Sequence, residues 1–176
     1  MNLNKNIVLL GMMGSGKSTI GYLLSKSINY NFLDVDKIIE KETGLKISEI
    51  FEKKGENYFR NIEEKITLKL LKNKEKIISL GGGAFLNKNI RKEVLKNHIS
   101  FWLNWKSLTL IKRIIKSKKR PIAFNSSEIN LKRMINERTI FYSEAKFKIN
   151  CETLTKNMIV KNIIELYGKN YNKSQN

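Results

Sequence analysis

Short apolar runs alternate along this chain with longer segments whose apolar positions recur every three or four residues. Ile7-Val8-Leu9-Leu10 has the form of a buried strand, and Ile20, Leu23, Leu24 and Ile28 behind it stripe one face of a helix. Asn31-Phe32-Leu33-Asp34-Val35-Asp36 predicts a second strand ending in two carboxylates. Helical material follows over residues 38–42 and again from Ser48, and Phe59, Ile62, Ile66 and Leu70 mark a long helix starting near Glu56. Ile77-Ile78-Ser79-Leu80 predicts a third strand running into Gly81-Gly82-Gly83, followed by a short helix over 89–96. Ile99-Ser100-Phe101-Trp102-Leu103 predicts a fourth strand, with a helix over 106–116 behind it. After a polar stretch holding the sole proline, Pro121, helical pattern resumes over 128–141. Phe147-Lys148-Ile149-Asn150-Cys151 reads as a fifth strand, and Ile159, Ile163 and Tyr167 stripe a last helix.

Strands that alternate with helices imply parallel pairing through right-handed crossovers, hence a three-layer α/β/α domain around a five-stranded parallel sheet. Residues 1–168 read as one domain, and the polar tail 169–176 is expected to fray. Ligands of such sheets bind beyond the carboxyl ends of the strands. Gly11 onward, Asp34 with Asp36, and Gly81 to Gly83 all fall at that end, so one crevice is expected to gather them.

Gly11-Met12-Met13-Gly14-Ser15-Gly16-Lys17-Ser18 fits G-x-x-x-x-G-K-[ST], between a strand and a helix as that phosphate-binding motif requires. Glycines let the backbone close around phosphate oxygens with several N–H groups inward, and the helix N-terminus adds partial positive charge. Lys17 would reach the outer phosphates of a nucleoside triphosphate, and the Ser18 hydroxyl would ligate Mg²⁺.

Size and composition narrow the rest. At 176 residues and 41% hydrophobic, the chain can build one α/β domain with a real core but not two. No apolar run approaches membrane-spanning length, and Met1 to Asn6 leads straight into the first strand, so a cytoplasmic protein without a signal peptide is expected. Cys151 and His98 are each the sole residue of their kind, which excludes an internal disulfide and makes no metal set. The formal charge of +18 invites a nucleic-acid reading. Its lysines, however, are scattered, and the densest cluster, Lys116-Ser117-Lys118-Lys119-Arg120, lacks the aromatic interleaving of single-strand binders. A solvated basic surface without a nucleic-acid partner is the expectation, although anionic substrates would be drawn to it.

Asp34 and Asp36 stand two apart. If the strand continues to Asp36, both carboxylates share one side, where they can hold Mg²⁺ through water and orient a hydroxyl nucleophile. A strand end with a helix-capping Asp is the alternative reading of the pair. The glycine triplet allows either a sharp turn or close approach to a ligand. Against so many lysines the six arginines, Arg60, Arg91, Arg113, Arg120, Arg133 and Arg138, are candidates for planar bidentate contacts, one or two of them being plain surface residues. Arg120-Pro121 sits in a stretch, about 113–127, placed to close over a nucleotide as a mobile lid.

Taken in order, Gly11 to Ser18, Asp34-Val35-Asp36, Phe59-Arg60, Gly81-Gly82-Gly83, Arg120-Pro121 and Arg138 ahead of Phe141-Tyr142 resemble the shikimate kinases, in spacing as well as type, from Asn6 to about Tyr167. The resemblance implies ATP-dependent phosphorylation of the 3-hydroxyl of shikimate, in aromatic amino-acid biosynthesis, by a P-loop kinase. It implies that Gly14, Ser15, Gly16, Lys17, Ser18 and Thr19 hold the phosphates of ATP, with Ser18 on Mg²⁺ and Asp34 reaching the metal through water. Asp36 would position the acceptor hydroxyl, Arg60 and Arg138 would clamp the substrate carboxylate, and the Gly82 backbone would contact another hydroxyl. Arg113 would stack on adenine, and Lys17 and Arg120 would stabilise the transferring phosphoryl group. The expected partners are ATP and shikimate, and the expected state is a monomer. One departure stands out: members often carry an arginine after the fifth strand, where this chain reads Glu152-Thr153-Leu154-Thr155-Lys156-Asn157. A sibling kinase for gluconate or a nucleoside monophosphate is the nearest alternative, and a nucleic-acid-binding ATPase module is the alternative from another class.

Overall fold

A computed structural model describes residues 5–116 and 127–172. Five strands, β1 (Ile7–Leu10), β2 (Asn31–Asp34), β3 (Lys76–Ser79), β4 (Ile99–Asn104) and β5 (Phe147–Asn150), form one parallel sheet in the order β2-β3-β1-β4-β5. The helices are α1 (Lys17–Ile28), α2 (Val35–Thr43), α3 (Ile47–Leu71), α4 (Lys88–Asn97), α5 (Ser107–Lys116), α6 (Glu128–Tyr142) and α7 (Lys156–Asn172), with a 3₁₀ turn at Ala84–Leu86. Ile7 of the central strand aligns with Ile77 on one side and Ile99 on the other.

The two-residue period of the strands sorts their side chains into two cores. Ile7, Leu9, Ile77, Ile99 and Phe101 face α1 and α7, meeting Ile20, Leu24, Ile159 and Ile163. Val8, Leu10, Ile78 and Trp102 face the opposite way and meet residues of the other helices, among them Ile39, Phe59, Ile66, Val94, Ile111 and Ile135. β1 is buried along its whole length because it has strands on both edges and helices on both faces, so it reads as continuous apolar sequence rather than as an alternation.

The chain leaves β1 toward β2 and leaves β3 toward β4, in opposite directions across the sheet. The gap between these two neighbours is the switch point at which such sheets bind ligands. The loops that open it are the glycine-rich loop after β1 and the glycine triplet after β3.

Three boundaries differ from expectation. β2 stops at Asp34, and Asp36 lies in the first turn of α2. The two predicted helical stretches from Ser48 and near Glu56 run together as α3, broken at Gly55 with φ 80° and ψ 170°. α7 continues to Asn172, through residues expected to belong to the frayed tail. The lid assigned to about 113–127 falls mostly on residues outside those described, Arg120 and Pro121 included; its first four residues are the end of α5.

Candidate active site

Gly14 and Gly16 adopt φ of 78° and 89°, which turns the loop after β1 back over the start of α1. Lys17 is buried, and its ammonium donates to the carbonyls of Gly11 at 2.7 Å and Met12 at 3.1 Å. These bonds hold the positive charge inside the loop's curve, at the N-terminus of α1. The next hydroxyl, Ser18 Oγ, donates to Asp34 Oδ2 at 2.5 Å. Asp34 also caps α2, accepting from the Lys37 amide at 3.4 Å. The strand does not continue to Asp36, so the condition for Asp34 and Asp36 to share one strand face is not met, and Asp34 ends the strand as a helix cap. The helix starts immediately after Asp34, so the two carboxylates divide between the glycine-rich loop, where Ser18 meets Asp34, and the glycine triplet, which Asp36 approaches.

Ser18 and Asp34 offer hard oxygen donors side by side at the loop, a donor set that suits Mg²⁺. Among the described residues no group of three or more His, Cys, Asp or Glu could hold a metal. An ion at Ser18 and Asp34 would therefore complete its shell with phosphate oxygens and water, the usual habit of Mg²⁺.

Beyond the loop a cavity of about 590 Å³ is lined by Ser15, Gly16, Thr19, Trp105, Arg113 and Thr155, among others. Thr19 and Arg113, named from sequence, thus share one space with the glycine loop. The Arg113 guanidinium lies 3.7 Å from the centre of the Trp105 ring and donates to the Gly14 carbonyl at 3.4 Å. The stretch after β5 that lacks an arginine forms part of this cavity through Leu154 to Asn157.

The opposite wall is built on the glycine triplet. A side chain at Gly81 would collide with Glu63 Oε1 and meet Asp36 Oδ1 at 2.9 Å, and one at Gly83 would meet Arg60 Nη1 at 2.6 Å. The glycines are there because charged groups close in on them. Arg138, buried on α6, donates from Nη1 to the Gly82 carbonyl at 3.1 Å, and the Tyr142 hydroxyl donates to the same oxygen. Burial pushes the Tyr142 hydroxyl up to about 12, against the pull of Arg138, so it stays a donor. Arg60 is held from both sides: Nη1 donates to Glu63 at 2.6 Å, while Nε and Nη2 donate to Glu56 at 3.2 and 3.0 Å.

Of the predicted residues, Asp36, Arg60, Gly82 and Arg138 come together on this wall, and Gly14 to Thr19, Asp34 and Arg113 on the other. Arg120 lies outside the described residues. Arg133 is the plain surface residue, paired with Glu137 on an exposed face of α6. Arg91 braces the 3₁₀ turn, donating to the carbonyls of Phe85 at 3.1 Å and Leu86 at 2.9 Å. Cys151 is buried in the core on the α1 and α7 side of the sheet, where burial pushes its thiol up to about 12 against the pull of Arg113, and His98 closes the far end of α4.

Glu63, Tyr142 and Trp105 were missed as site residues. Glu63 is only 2% exposed, and no partner of its Oε1 is found among the described residues. Burial pushes its carboxyl up, Arg60 opposes this, Asp36 adds to it and Arg138 opposes it. Its spacing of three from Arg60, on the buried side of α3, was the readable signal. Trp105 had none, since its indole N–H donates at 3.0 Å to the carbonyl of Ser15, 90 residues away.

A family model described as shikimate kinase matches residues 13–167. A shikimate kinase of Thermodesulfovibrio yellowstonii is 37% identical over 166 residues, which cover 94% of this chain and 96% of that protein. The structure of the shikimate kinase from Acinetobacter baumannii, in complex with shikimate, matches with a TM-score of 0.90 at 30% identity over 96% of each chain. A gluconokinase from Sinorhizobium meliloti shares the fold alone, with a TM-score of 0.59 at 16% identity over 99% of each chain.

Proposed function

The chain belongs to the shikimate kinase family, and we propose from its geometry how its residues serve that family's reaction, transfer of the γ-phosphoryl group of ATP to the 3-hydroxyl of shikimate. One observation carries the proposal: two arginines from different helices, Arg60 and Arg138, meet at the same glycine triplet that Asp36 approaches. Two planar cations near Asp36 suit a small hydroxy acid, whose own carboxylate pairs with the cations while Asp36 takes a hydroxyl.

Arg60 and Arg138 bind the shikimate carboxylate, and the Gly82 backbone contacts a second hydroxyl. Asp36 hydrogen-bonds the 3-hydroxyl, aims it at the γ-phosphorus and receives its proton as the new O–P bond forms. The amides from Gly14 to Thr19 cradle the phosphates of ATP, and Lys17 balances the charge that builds on the phosphoryl oxygens. Arg113 presents its guanidinium to the adenine. Ser18 would hold Mg²⁺ directly and Asp34 through water, and the ion would supply further neutralisation of the phosphates. Holding both reactants in line accounts for most of the rate gain, since little covalent work falls to the protein.

Both walls come from one chain, which supports action as a monomer. No described helix is long and apolar enough to cross a membrane, and the lone cysteine, Cys151, is buried and forms no disulfide; a cytoplasmic location fits both. Scattered lysines without interleaved aromatics support the absence of a nucleic-acid partner.

A coupled assay of ADP release with ATP and a panel of shikimate, gluconate and nucleoside monophosphates tests the assignment. Turnover with shikimate at a kcat/KM about ten-thousandfold or more above the other acceptors is expected, the scale on which a site built to hydrogen-bond its substrate rejects molecules that leave its polar groups unpaired. Equal or faster turnover of gluconate or a nucleotide would overturn it.

A further inference from the structure

Arg113 does not hang free in the nucleotide cavity. It lies over the face of the Trp105 ring, with 3.7 Å between the guanidinium carbon and the ring centre, inside the distance at which a cation and an aromatic face attract. Trp105 is fixed in turn by its indole N–H, which donates to the Ser15 carbonyl in the phosphate-binding loop. Arg113 donates to the neighbouring Gly14 carbonyl. Both side chains line the same cavity of about 590 Å³, whose other sides include Leu154 and Thr155. One face of the guanidinium is thus covered by indole, and the arginine is tied at its edge to the loop that takes the phosphates.

We propose that Trp105 is a positioning residue for the nucleotide base: it backs Arg113 so that the uncovered face of the guanidinium meets a purine ring, making a three-layer stack of indole, guanidinium and base. The inference rests on the ATP-dependent reading above. An arginine has several rotatable bonds and loses entropy when it is held flat for a ligand. Trp105 holds it in place beforehand. Because the indole is bonded to residue 15, the base platform and the phosphate cradle also keep a fixed separation. The chain has no arginine between Glu152 and Asn157, on the far side of the cavity, so the stack on the Trp105 side is left as the base's planar cationic contact.

The test compares ATP with inorganic tripolyphosphate, which offers the phosphates without the base, by calorimetric titration of the full chain. Trp105→Ala is expected to weaken ATP binding about tenfold, the scale of one lost stacking contact, and to change tripolyphosphate binding less than about twofold. Trp105→Phe keeps a flat face and is expected to bring ATP affinity back to within about threefold of wild type, since the cation–aromatic contact persists with a weaker ring. Equal losses for ATP and tripolyphosphate would show a merely structural role in the loop and overturn the proposal, as would no loss for either. If Trp105→Ala does not fold, tryptophan emission decides. ATP is expected to change the emission of wild type and to leave that of Trp105→Phe, which keeps Trp102, unchanged. A full-sized change in Trp105→Phe would overturn the proposal. Wild-type turnover of shikimate is measured in parallel: its failure rejects the kinase assignment, whereas normal turnover with an indifferent Trp105→Ala rejects this inference alone.

Discussion

Arg60 shows why one cation is not another at this site. Its three donor positions span two carboxylates of α3, Glu56 and Glu63, while its planar face lies beside Gly83. A lysine supplies the charge at a point and cannot reach both partners in one plane. Arg60→Lys and Arg138→Lys are each expected to weaken shikimate use by about 1.5–3 kcal/mol, the scale of a hydrogen bond to a charged group, with the Kd for ATP unchanged. Steady-state kcat/KM for shikimate beside a binding titration with ATP checks this, and a loss confined to ATP would assign the arginines to the nucleotide. Asp36→Asn keeps size and hydrogen bonding but removes the charge that would take a proton. A fall in kcat of about a hundredfold or more is expected of a group in general-base work, read by single-turnover transfer to shikimate; a change of two- or threefold would leave Asp36 as a helix-start residue only.

Elements are where the sequence was most and least legible. The strands and the glycine-rich loop could be read because their signals are local, such as a continuous apolar run at β1 and fixed glycine spacing after it. Whether Asp34 ended the strand or began a helix could not be read, because that depends on a hydroxyl from α1 and an amide from α2 meeting the same carboxylate. The partnership of Arg138 and Tyr142 with Gly82, and of Trp105 with Ser15, joins residues far apart in sequence and left no periodic trace. The break in α3 is a middle case. The two helical stretches were visible on either side of Gly55, and the φ of 80° and ψ of 170° there lie in a region that side chains rarely enter. Phe51 and Phe59 pack across the break with ring centres 4.7 Å apart, which sets the direction from which Arg60 and Glu63 reach the triplet. A Cβ on Gly55 would meet nothing within 4 Å, so Gly55→Ala tests backbone strain alone; a loss of about 1–3 kcal/mol in urea unfolding is expected, and a stability equal to wild type would show that α3 can straighten at no cost. At the end of α4, burial holds the His98 imidazole below its ordinary 6.5; Glu93 opposes this and Lys5 adds to it. The unfolded chain therefore takes up the proton first, so stability is complete above about 6.5 and declines as pH falls below it. Melting temperatures from pH 7.5 to 5 are expected to fall less steeply in His98→Gln than in wild type, and parallel slopes would refute the assignment.

For the molecule as a whole the dominant electrostatic fact is imbalance: 34 lysines and arginines against 16 aspartates and glutamates, for a formal charge of +18. Two effects of added salt then oppose each other. Surface ion pairs such as Lys53–Glu49 at 3.5 Å and Arg133–Glu137 at 2.9 Å are weakened, but exposed pairs of this kind contribute only about 0–1 kcal/mol each. Repulsion among the unmatched positive charges acts over longer distances and is relieved at the same time, because the screening length shrinks from about 30 Å at 0.01 M to about 8 Å at 0.15 M. With more than half the cations lacking an acidic counterpart, relief of repulsion outweighs the loss of pairs. The melting temperature in potassium chloride is therefore expected to rise by a few degrees over that range, a shift of about 1 kcal/mol for a chain of this size. Chloride is the anion to use, since phosphate or sulfate would bind the glycine-rich loop and stabilise by occupancy. A melting temperature that falls with potassium chloride would mean that local pairs, not net charge, govern the surface. Lysines set among acidic neighbours would then have to replace the picture of a scattered, self-repelling basic shell.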